Sequence, residues 1–155
     1  MSDFLLAALI SSRICHDLTG PVGAVSNGVE LLGEESDLSM REQSLELLAF
    51  SAAETSRRLQ FYRLCFGAAG GPDAVTSLGE AQRAAAGFFE GRKQDLNWPV
   101  GHMEALRIPQ SVVQLVLNLI LLAGEALPRG GQIEVELAAD GTGISIQASG
   151  RNAAL

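Results

Sequence analysis

Two apolar stripes with the spacing of long helices occupy the first part of the chain. In the first, from about Asp3 to Leu32, apolar residues recur every three or four positions, at Leu18, Val22, Val25, Val29 and Leu32. The second ends before Gly67 and keeps the same alternation through Leu45, Leu48, Ala52, Thr55, Leu59, Tyr62 and Phe66. Between them lies a polar connection, and Ser39 with Glu42 has the spacing of a capping box. The pattern predicts a hairpin of two long helices, the second opened by Ser39.

A single helical hairpin cannot cover its own apolar seam, and the usual solution is a four-helix bundle built from two hairpins. This sequence contains no second hairpin. We therefore expect two copies of the chain to form a symmetric homodimer, in which the partner supplies the missing half of the bundle.

The pattern changes after Gly70-Gly71-Pro72, which has the composition of a linker. A helix is predicted from Ser77, which forms a capping box with Glu80, to about Glu90, and a strand is predicted at Asp95–Val100. Pro109 begins a second helix that runs to about Leu127. Two alternating strands follow, Ile133–Leu137 and Ile144–Ile146, joined by the turn Asp140-Gly141-Thr142-Gly143. The helix after Pro109 is almost wholly apolar, so we expect it to be deeply buried.

These elements predict a small layer of helices on one side of an antiparallel sheet, and an α+β fold for the chain as a whole. We expect a helical domain over residues 1–70 and an α/β domain over 72–155. The chain stops soon after its last predicted strand, so we expect the α/β domain to be incomplete at its C-terminus.

Charge and composition narrow the class of partner. The 155 residues carry a formal net charge of -7, which disfavours nucleic acid and anionic membrane surfaces. The longest apolar stretch, 112–123, is too short to span a bilayer. Cys15 and Cys65 stand singly, which excludes a standard zinc site and suits a reducing cytosol. We expect a cytoplasmic protein.

One of the two histidines, His16, occupies an unusual place in the first helix. At about 100° per residue it lies roughly 160° from Leu18 and therefore faces solvent. Ser12, Gly20, Gly23 and Asn27 follow the same face, and glycine inside a helix costs about 1 kcal/mol relative to alanine. An isolated exposed histidine is most often only a surface residue, but two glycines beside it indicate that a partner approaches this face closely.

The residue types around His16 suit phosphoryl transfer. A neutral imidazole is a nucleophile near pH 7, and the adjacent Asp17 can hold the proton of the other ring nitrogen. Counted from the middle of the connection, the same height on the second helix falls near Arg57 and Arg58, whose guanidinium groups could stabilise a transferring phosphoryl group or could simply be solvated. The expected partner-binding surface comprises Ser12, Arg13, Thr19, Gly20, Gly23, Asn27, Arg57 and Arg58.

The string His16-Asp17-Leu18-Thr19-Gly20-Pro21 resembles the phospho-accepting box of histidine kinases, and 116–123 resembles the Asn-rich helix of their ATP-binding fold. That resemblance implies a second, magnesium-holding Asn where this chain has Leu122, and a basic residue where it has Glu125. A nucleotide-binding Asp is implied after the second strand, where Ala148-Ser149-Gly150 stands instead. We therefore expect a degenerate ATPase-like layer that binds no ATP.

The combination resembles the ChpT family of histidine phosphotransferases, particularly over 15–30. The resemblance implies a homodimer that shuttles a phosphoryl group, through phosphohistidine, between the receiver domain of a hybrid histidine kinase and response regulators. It implies catalytic roles for His16 and Asp17, no cofactor or metal ligand of its own, and magnesium supplied by the receiver. Kinases that also act as phosphatases usually carry Thr, Asn or Ser where Gly20 stands here, so the resemblance does not extend to hydrolysis.

Two other functions stay open at this point. One is an ATP-dependent histidine kinase with an unusual nucleotide site, which nucleotide binding would reveal. The other is a non-catalytic dimeric adaptor or kinase inhibitor that leaves His16 unused, and such a protein would acquire no acid-labile phosphate from a phosphorylated receiver.

Overall fold

The computed structural model describes residues 2–34, 37–67, 74–138 and 143–151. The chain divides into two compact units, Met1–Leu59 and Gln60–Leu155. The predicted α+β class is confirmed. The predicted linker at 70–72 and most of the predicted turn at 140–143 lie outside the described residues, and the predicted domain boundary stays a prediction.

The first unit is an antiparallel pair formed by helix α1, Asp3–Glu34, and the greater part of helix α2, Leu38–Phe66. The predicted capping box at Ser39 is wrong. Asp37 caps α2 instead, because its Oδ1 accepts from the backbone N–H groups of Ser39, at 2.9 Å, and Met40, at 3.1 Å. Asp37, one residue before the helix, thus binds free N–H groups of the first turn, which is the role expected of Ser39.

Three contacts fix the register of the pair. Gly28 is buried where the helices approach closely, since a Cβ there would lie 3.1 Å from Leu48 Cγ. Arg41 Nη1 donates to the carbonyl of Leu32 at 3.1 Å, and Arg58 donates to the carbonyl of Asp17. The expectation that Arg57 and Arg58 lie at the height of His16 therefore agrees with the structure.

The second unit contains the end of α2 followed by two small sheets and two helices. Its elements are β1 Val75–Ser77, α3 Leu78–Phe89, β2 Gln94–Asn97, a 3-10 turn at Gly101–Met103, β3 Arg107–Pro109, α4 Gln110–Glu125, β4 Gly131–Leu137 and β5 Ile144–Ser149. The predicted cap of α3 is confirmed, because Ser77 Oγ accepts from the Glu80 N–H at 3.2 Å.

The sheet topology differs from the prediction. β4 pairs antiparallel with β5, as expected, but β2 pairs parallel with β4, so this sheet is mixed. β1 and β3 form a second, antiparallel pair, which the sequence analysis missed because three-residue strands leave no alternation to detect. The strand predicted at 95–100 is observed one residue earlier and ends at Asn97.

The core of the second unit combines aromatic and aliphatic side chains. Phe61, at the end of α2, is fully buried and stacks on Phe88 with ring centroids 4.1 Å apart. Helix α4 contributes a buried aliphatic face, and the expectation that this helix is deeply buried holds for that face alone. Its opposite face is open, with Leu115 60% and Leu122 49% exposed, because α3, the sheets and the end of α2 cover only one side. Among the described residues no helix is long and apolar enough to cross a membrane.

Candidate functional site

His16 projects from the middle of α1 with 86% of its side chain exposed, as its angular position on the helix predicted. Its Nδ1 lies 3.3 Å from Oδ1 of Asp17. A ring protonated on Nδ1 would donate to this carboxylate and leave the lone pair of Nε2 free. The exposed ring thus has the access that a nucleophile requires, and the carboxylate favours the tautomer with its proton on Nδ1.

Asp17 differs from its neighbour in burial, since only 12% of its side chain is exposed. Its carboxylate faces His16 on one side and lies 3.5 Å from Nε of Arg13, one helical turn earlier, on the other. An ordinary surface carboxylate would be largely solvated. This one is confined beside the imidazole by the packing of the helix pair.

A short polar network crosses from α2 to the same turn of α1. Arg58 Nη1 donates to the backbone carbonyl of Asp17, and Nη2 donates to the carboxylate of Glu54, one turn earlier on α2. Four residues after Asp17 comes Pro21, which is buried inside α1 and has no N–H. The arginine therefore reaches a carbonyl that the helix cannot satisfy with its usual donor.

These groups border an open cavity of about 360 Å³ on the first unit. It is lined by His16, Asp17, Gly20, Pro21, Ala24, Ser51, Glu54 and Arg58. Its lining combines the imidazole and carboxylate of α1 with the Arg58–Glu54 pair of α2. A group bearing negative charge that approached Nε2 would find a guanidinium within the same cavity.

The structure brings together four of the residues singled out from the sequence, namely His16, Asp17, Gly20 and Arg58, as lining of one cavity. The remaining predicted residues lie outside this lining: Ser12, Arg13, Thr19, Gly23, Asn27 and Arg57. Arg13 touches the site through Asp17, and the Thr19 hydroxyl donates to the carbonyl of Cys15 at 2.7 Å.

Glu54, Ser51 and the role of Pro21 were missed by sequence analysis. The available signal was the four-residue spacing of Glu54 and Arg58, taken with the register that pairs Arg58 with the proline turn. Ser51 is only 3% exposed, and no motif or spacing in the sequence distinguishes it from the other serines.

The glycines near His16 leave the face beside it open. A Cβ added at Gly20 or at Gly23 would meet nothing within 4 Å. Neither residue has a left-handed backbone conformation, so the backbone does not require glycine at these positions. The approach of a partner to this side of α1 stays a prediction.

The region that resembles an ATP-binding helix has a different use in this structure. Side-chain amides on one face of α4 donate to carbonyls at the end of α2: Gln110 to Leu64 at 3.0 Å, Gln114 to Gly67 at 2.8 Å and Asn118 to Cys65 at 3.4 Å. The last carbonyls of a helix lack intrahelical donors, so these amides satisfy them. Asn118 also donates to the Gln114 carbonyl at 2.8 Å.

The opposite, open face of α4 borders a groove of about 270 Å³ whose described lining is apolar. Leu78, Leu106, Ile108, Leu115, Leu119 and Ile144 are among the lining residues. Leu122, which stands where a magnesium-holding Asn was implied, is exposed nearby on α4. Within the described residues, no cluster of three or more His, Cys, Asp or Glu side chains could hold a metal ion.

Comparison with known proteins gives consistent matches over both parts of the chain. Residues 78–155 match the family described as histidine phosphotransferase C-terminal domain. The chain is 42% identical over 134 residues, 85% of its length, to the protein phosphotransferase ChpT of Brucella abortus (strain 2308). It spans 60% of that relative's length. A solved bacterial phosphotransferase is similar in structure, with a TM-score of 0.74 and 37% identity, over 94% of this chain and 67% of the other.

Proposed function

We propose that this chain, which belongs to the ChpT-like histidine phosphotransferase family, accepts a phosphoryl group on His16 from one receiver domain and passes it to another. The observation that carries the proposal is the exposed imidazole whose Nδ1 lies 3.3 Å from the confined carboxylate of Asp17. This arrangement presents Nε2 as the nucleophile.

In the proposed step, the lone pair of Nε2 attacks the phosphorus of an aspartyl phosphate on the receiver. The N–P bond forms as the bond from phosphorus to the acyl oxygen breaks, and the receiver carboxylate leaves with the electron pair. No proton is transferred, because the proton stays on Nδ1. The ring becomes positively charged as the bond forms, and the Asp17 carboxylate stabilises that charge. Transfer to a second receiver is the same reaction in reverse.

We propose that the reaction uses no nucleotide. A magnesium–nucleotide complex requires oxygen or amide ligands and room for a triphosphate, and the residues present do not fit it. Leu122 replaces the implied amide ligand, Asn118 is engaged with the Cys65 and Gln114 carbonyls, and the groove beside α4 is apolar. The magnesium that neutralises the transferring group would come from the receiver's own aspartate pocket.

We also propose that the working species is a homodimer. Several apolar side chains of the two predicted stripes are about half exposed on the first unit: Val22, Val29, Leu45 and Leu59. Burying such side chains against a second copy would form the four-helix bundle that the stripes predict. Light scattering on the purified chain should give the mass of a dimer, and a monomer at micromolar concentration would contradict this part of the proposal.

The transfer proposal is tested by incubating the protein with a receiver domain phosphorylated on aspartate. We expect acid-labile, alkali-stable phosphate to appear on the wild type and on His102→Ala, and none on His16→Ala. His102 is the matched control because it is the other histidine of the chain and lies exposed in the 3-10 turn of the second unit. Label on His16→Ala, or loss of label in both variants, would overturn the assignment.

Asp17→Asn separates the role of the carboxylate from that of the imidazole. The amide cannot stabilise a positive ring, so we expect transfer to be slowed tenfold or more, roughly 1.4 kcal/mol, without being abolished. An unchanged rate would reduce Asp17 to a structural residue. A wild-type protein that accepts no phosphate would favour the adaptor function, and saturable magnesium-dependent binding of ATP would favour a kinase.

A further inference from the structure

Pro21 creates a specific requirement in the turn that carries His16. In an α-helix each N–H donates to the carbonyl four residues earlier, and the donor for Asp17 would be residue 21. Proline has no N–H, and it is the residue least suited to a helix interior. The turn from Asp17 to Pro21 therefore lacks one of the hydrogen bonds that normally hold a helix rigid, directly beside the proposed nucleophile.

Arg58 supplies a donor at this position. Its Nη1 donates to the Asp17 carbonyl across the helix pair, and its Nη2 donates to Glu54. The guanidinium is largely covered, with 17% of the side chain exposed, and Glu54 is 25% exposed. A planar guanidinium can bind two acceptors in fixed directions at once, which an ammonium group cannot do. Glu54 thus orients the Arg58 guanidinium, and the guanidinium stabilises the turn from Asp17 to Pro21.

We propose that Arg58 is a positioning residue, which replaces the amide hydrogen that Pro21 lacks and so keeps the Asp17 carboxylate against Nδ1 of His16. The inference rests on the proposed function of His16. It differs from the expectation that Arg58 binds the partner or the transferring phosphoryl group, because it assigns the effect of the guanidinium to the backbone of α1. The two interpretations predict different effects of removing Arg58 when residue 21 is changed.

A double-mutant cycle between residues 21 and 58 distinguishes them. In Pro21→Ala the new N–H can donate to the Asp17 carbonyl, so a positioning arginine becomes dispensable. Arg58→Met should therefore lower activity about tenfold in the wild type, the size expected for one charged hydrogen bond, and much less in Pro21→Ala. An arginine that acts on the phosphoryl group would be needed equally in both backgrounds.

Arg41→Met is the matched control. Arg41 also donates to a main-chain carbonyl of α1, that of Leu32, but this contact lies fifteen residues beyond Asp17. The variant removes the same charge and the same kind of interhelical hydrogen bond, and we expect it to leave phosphorylation of His16 unchanged. Loss in Arg41→Met equal to that in Arg58→Met would show that general loosening of the helix pair explains both.

Two readouts on the full chain keep the positioning role separate from the proposed function. Nitrogen-15 NMR reports which ring nitrogen of His16 carries the proton, and the chain has only one other histidine, His102, which serves as internal reference. We expect the fraction protonated on Nδ1 to fall in Arg58→Met, to recover in the double variant with Pro21→Ala, and to stay constant for His102. The second readout is the rate at which phosphoramidate, a small phosphoryl donor, labels His16.

The outcomes are distinct. An unchanged His16 tautomer in Arg58→Met, or equal losses in the wild-type and Pro21→Ala backgrounds, would overturn the proposal. Absence of labelling in the wild type would contradict the proposed function, while the tautomer measurement would still decide the positioning role. If Arg58→Met does not fold, Arg58→Lys replaces it in the cycle: retention of full activity by lysine would show that charge alone matters and overturn the role of the guanidinium.

Discussion

The open face beside Gly20 and Gly23 permits two linked predictions, that a small side chain at Gly23 raises stability and that a large one there slows transfer. Both glycines lie inside α1, and a Cβ at either position would meet nothing within 4 Å. Gly23→Ala therefore adds no contact with another element, whereas a Cβ at Gly20 would face the ring of the following Pro21, which disfavours it in a helix. Because glycine in a helix interior costs about 1 kcal/mol relative to alanine, we expect Gly23→Ala to raise the free energy of unfolding by about 1 kcal/mol.

Gly28 provides the stability control within the same helix. An added Cβ there would lie 3.1 Å from Leu48 Cγ and 3.2 Å from Leu48 Cδ1, closer than ordinary packing allows. The gain in helix propensity should be offset by the movement required of Leu48, so we expect Gly28→Ala to gain nothing or to lose stability. Urea unfolding followed by circular dichroism at 222 nm, at one fixed protein concentration, measures both changes in stability.

The second prediction concerns transfer from a phosphorylated receiver and a larger side chain at the same position. We expect Gly23→Leu to slow transfer tenfold or more, roughly 1.4 kcal/mol, because a bulky side chain occupies the face that the partner must approach. Gly33→Leu is the control, since a Cβ there also meets nothing within 4 Å but lies near the end of α1, far from His16. A fall in stability of Gly23→Ala would refute the reasoning, because it would place this face in a packed interface. Normal transfer by a folded Gly23→Leu would show that the partner uses another face.

Two further predictions concern the second unit. Gln114→Leu removes the donor to the Gly67 carbonyl and should cost about 1–3 kcal/mol in urea unfolding, whereas Gln132→Leu, which loses an exposed bond to Asp95, should change stability by less than about 0.5 kcal/mol. Burial raises the pKa of the Cys65 thiol to about 12, so at pH 8 a thiol reagent should titrate one group, Cys15, in the folded protein and two in urea. Since the folded pKa lies above the ordinary value of 9.0, the contribution of Cys65 to stability should be present below pH 9 and be lost as the pH rises towards 12. Modification of Cys65 in the folded protein at pH 8 would contradict this assignment.

The long helices were predictable because their periodic signal extends over many turns. Both ends of α2 fall within one residue of the predicted limits, and the face of His16 followed from its angle to Leu18. The cap was not predictable in the same way. Asp37 and Ser39 both belong to residue types that often cap helices, and they lie two positions apart. Which of them caps α2 depends on the residue at which the helical conformation begins, and the local sequence does not fix that residue.

The errors in the second unit have a common physical origin. Periodicity shows that α4 is apolar, but it cannot show how many neighbours are present to cover it, and one face stays exposed at Leu115 and Leu119. The parallel pairing of β2 with β4 depends on the crossover through α4. Neither property resides in the segment itself, so a local pattern cannot reveal it.

The same distinction separates the proposed nucleophile from the residues that support it. His16 and Asp17 are adjacent in sequence, and their chemistry could be inferred from that adjacency. Contacts to main-chain carbonyls at long range were not inferable in this way: Arg58 donates to the Asp17 carbonyl forty-one residues away, and in the second unit Asn118 donates to the Cys65 carbonyl fifty-three residues away. Every residue has a backbone carbonyl, so the sequence does not show which carbonyls lack a helical donor. In the fold, however, such a carbonyl requires a donor side chain beside it. Asn118, on the helix that resembles an ATP-binding one, and Arg58, which was expected to face a phosphoryl group, both donate to main-chain carbonyls in this fold, and residue type alone does not reveal such contacts.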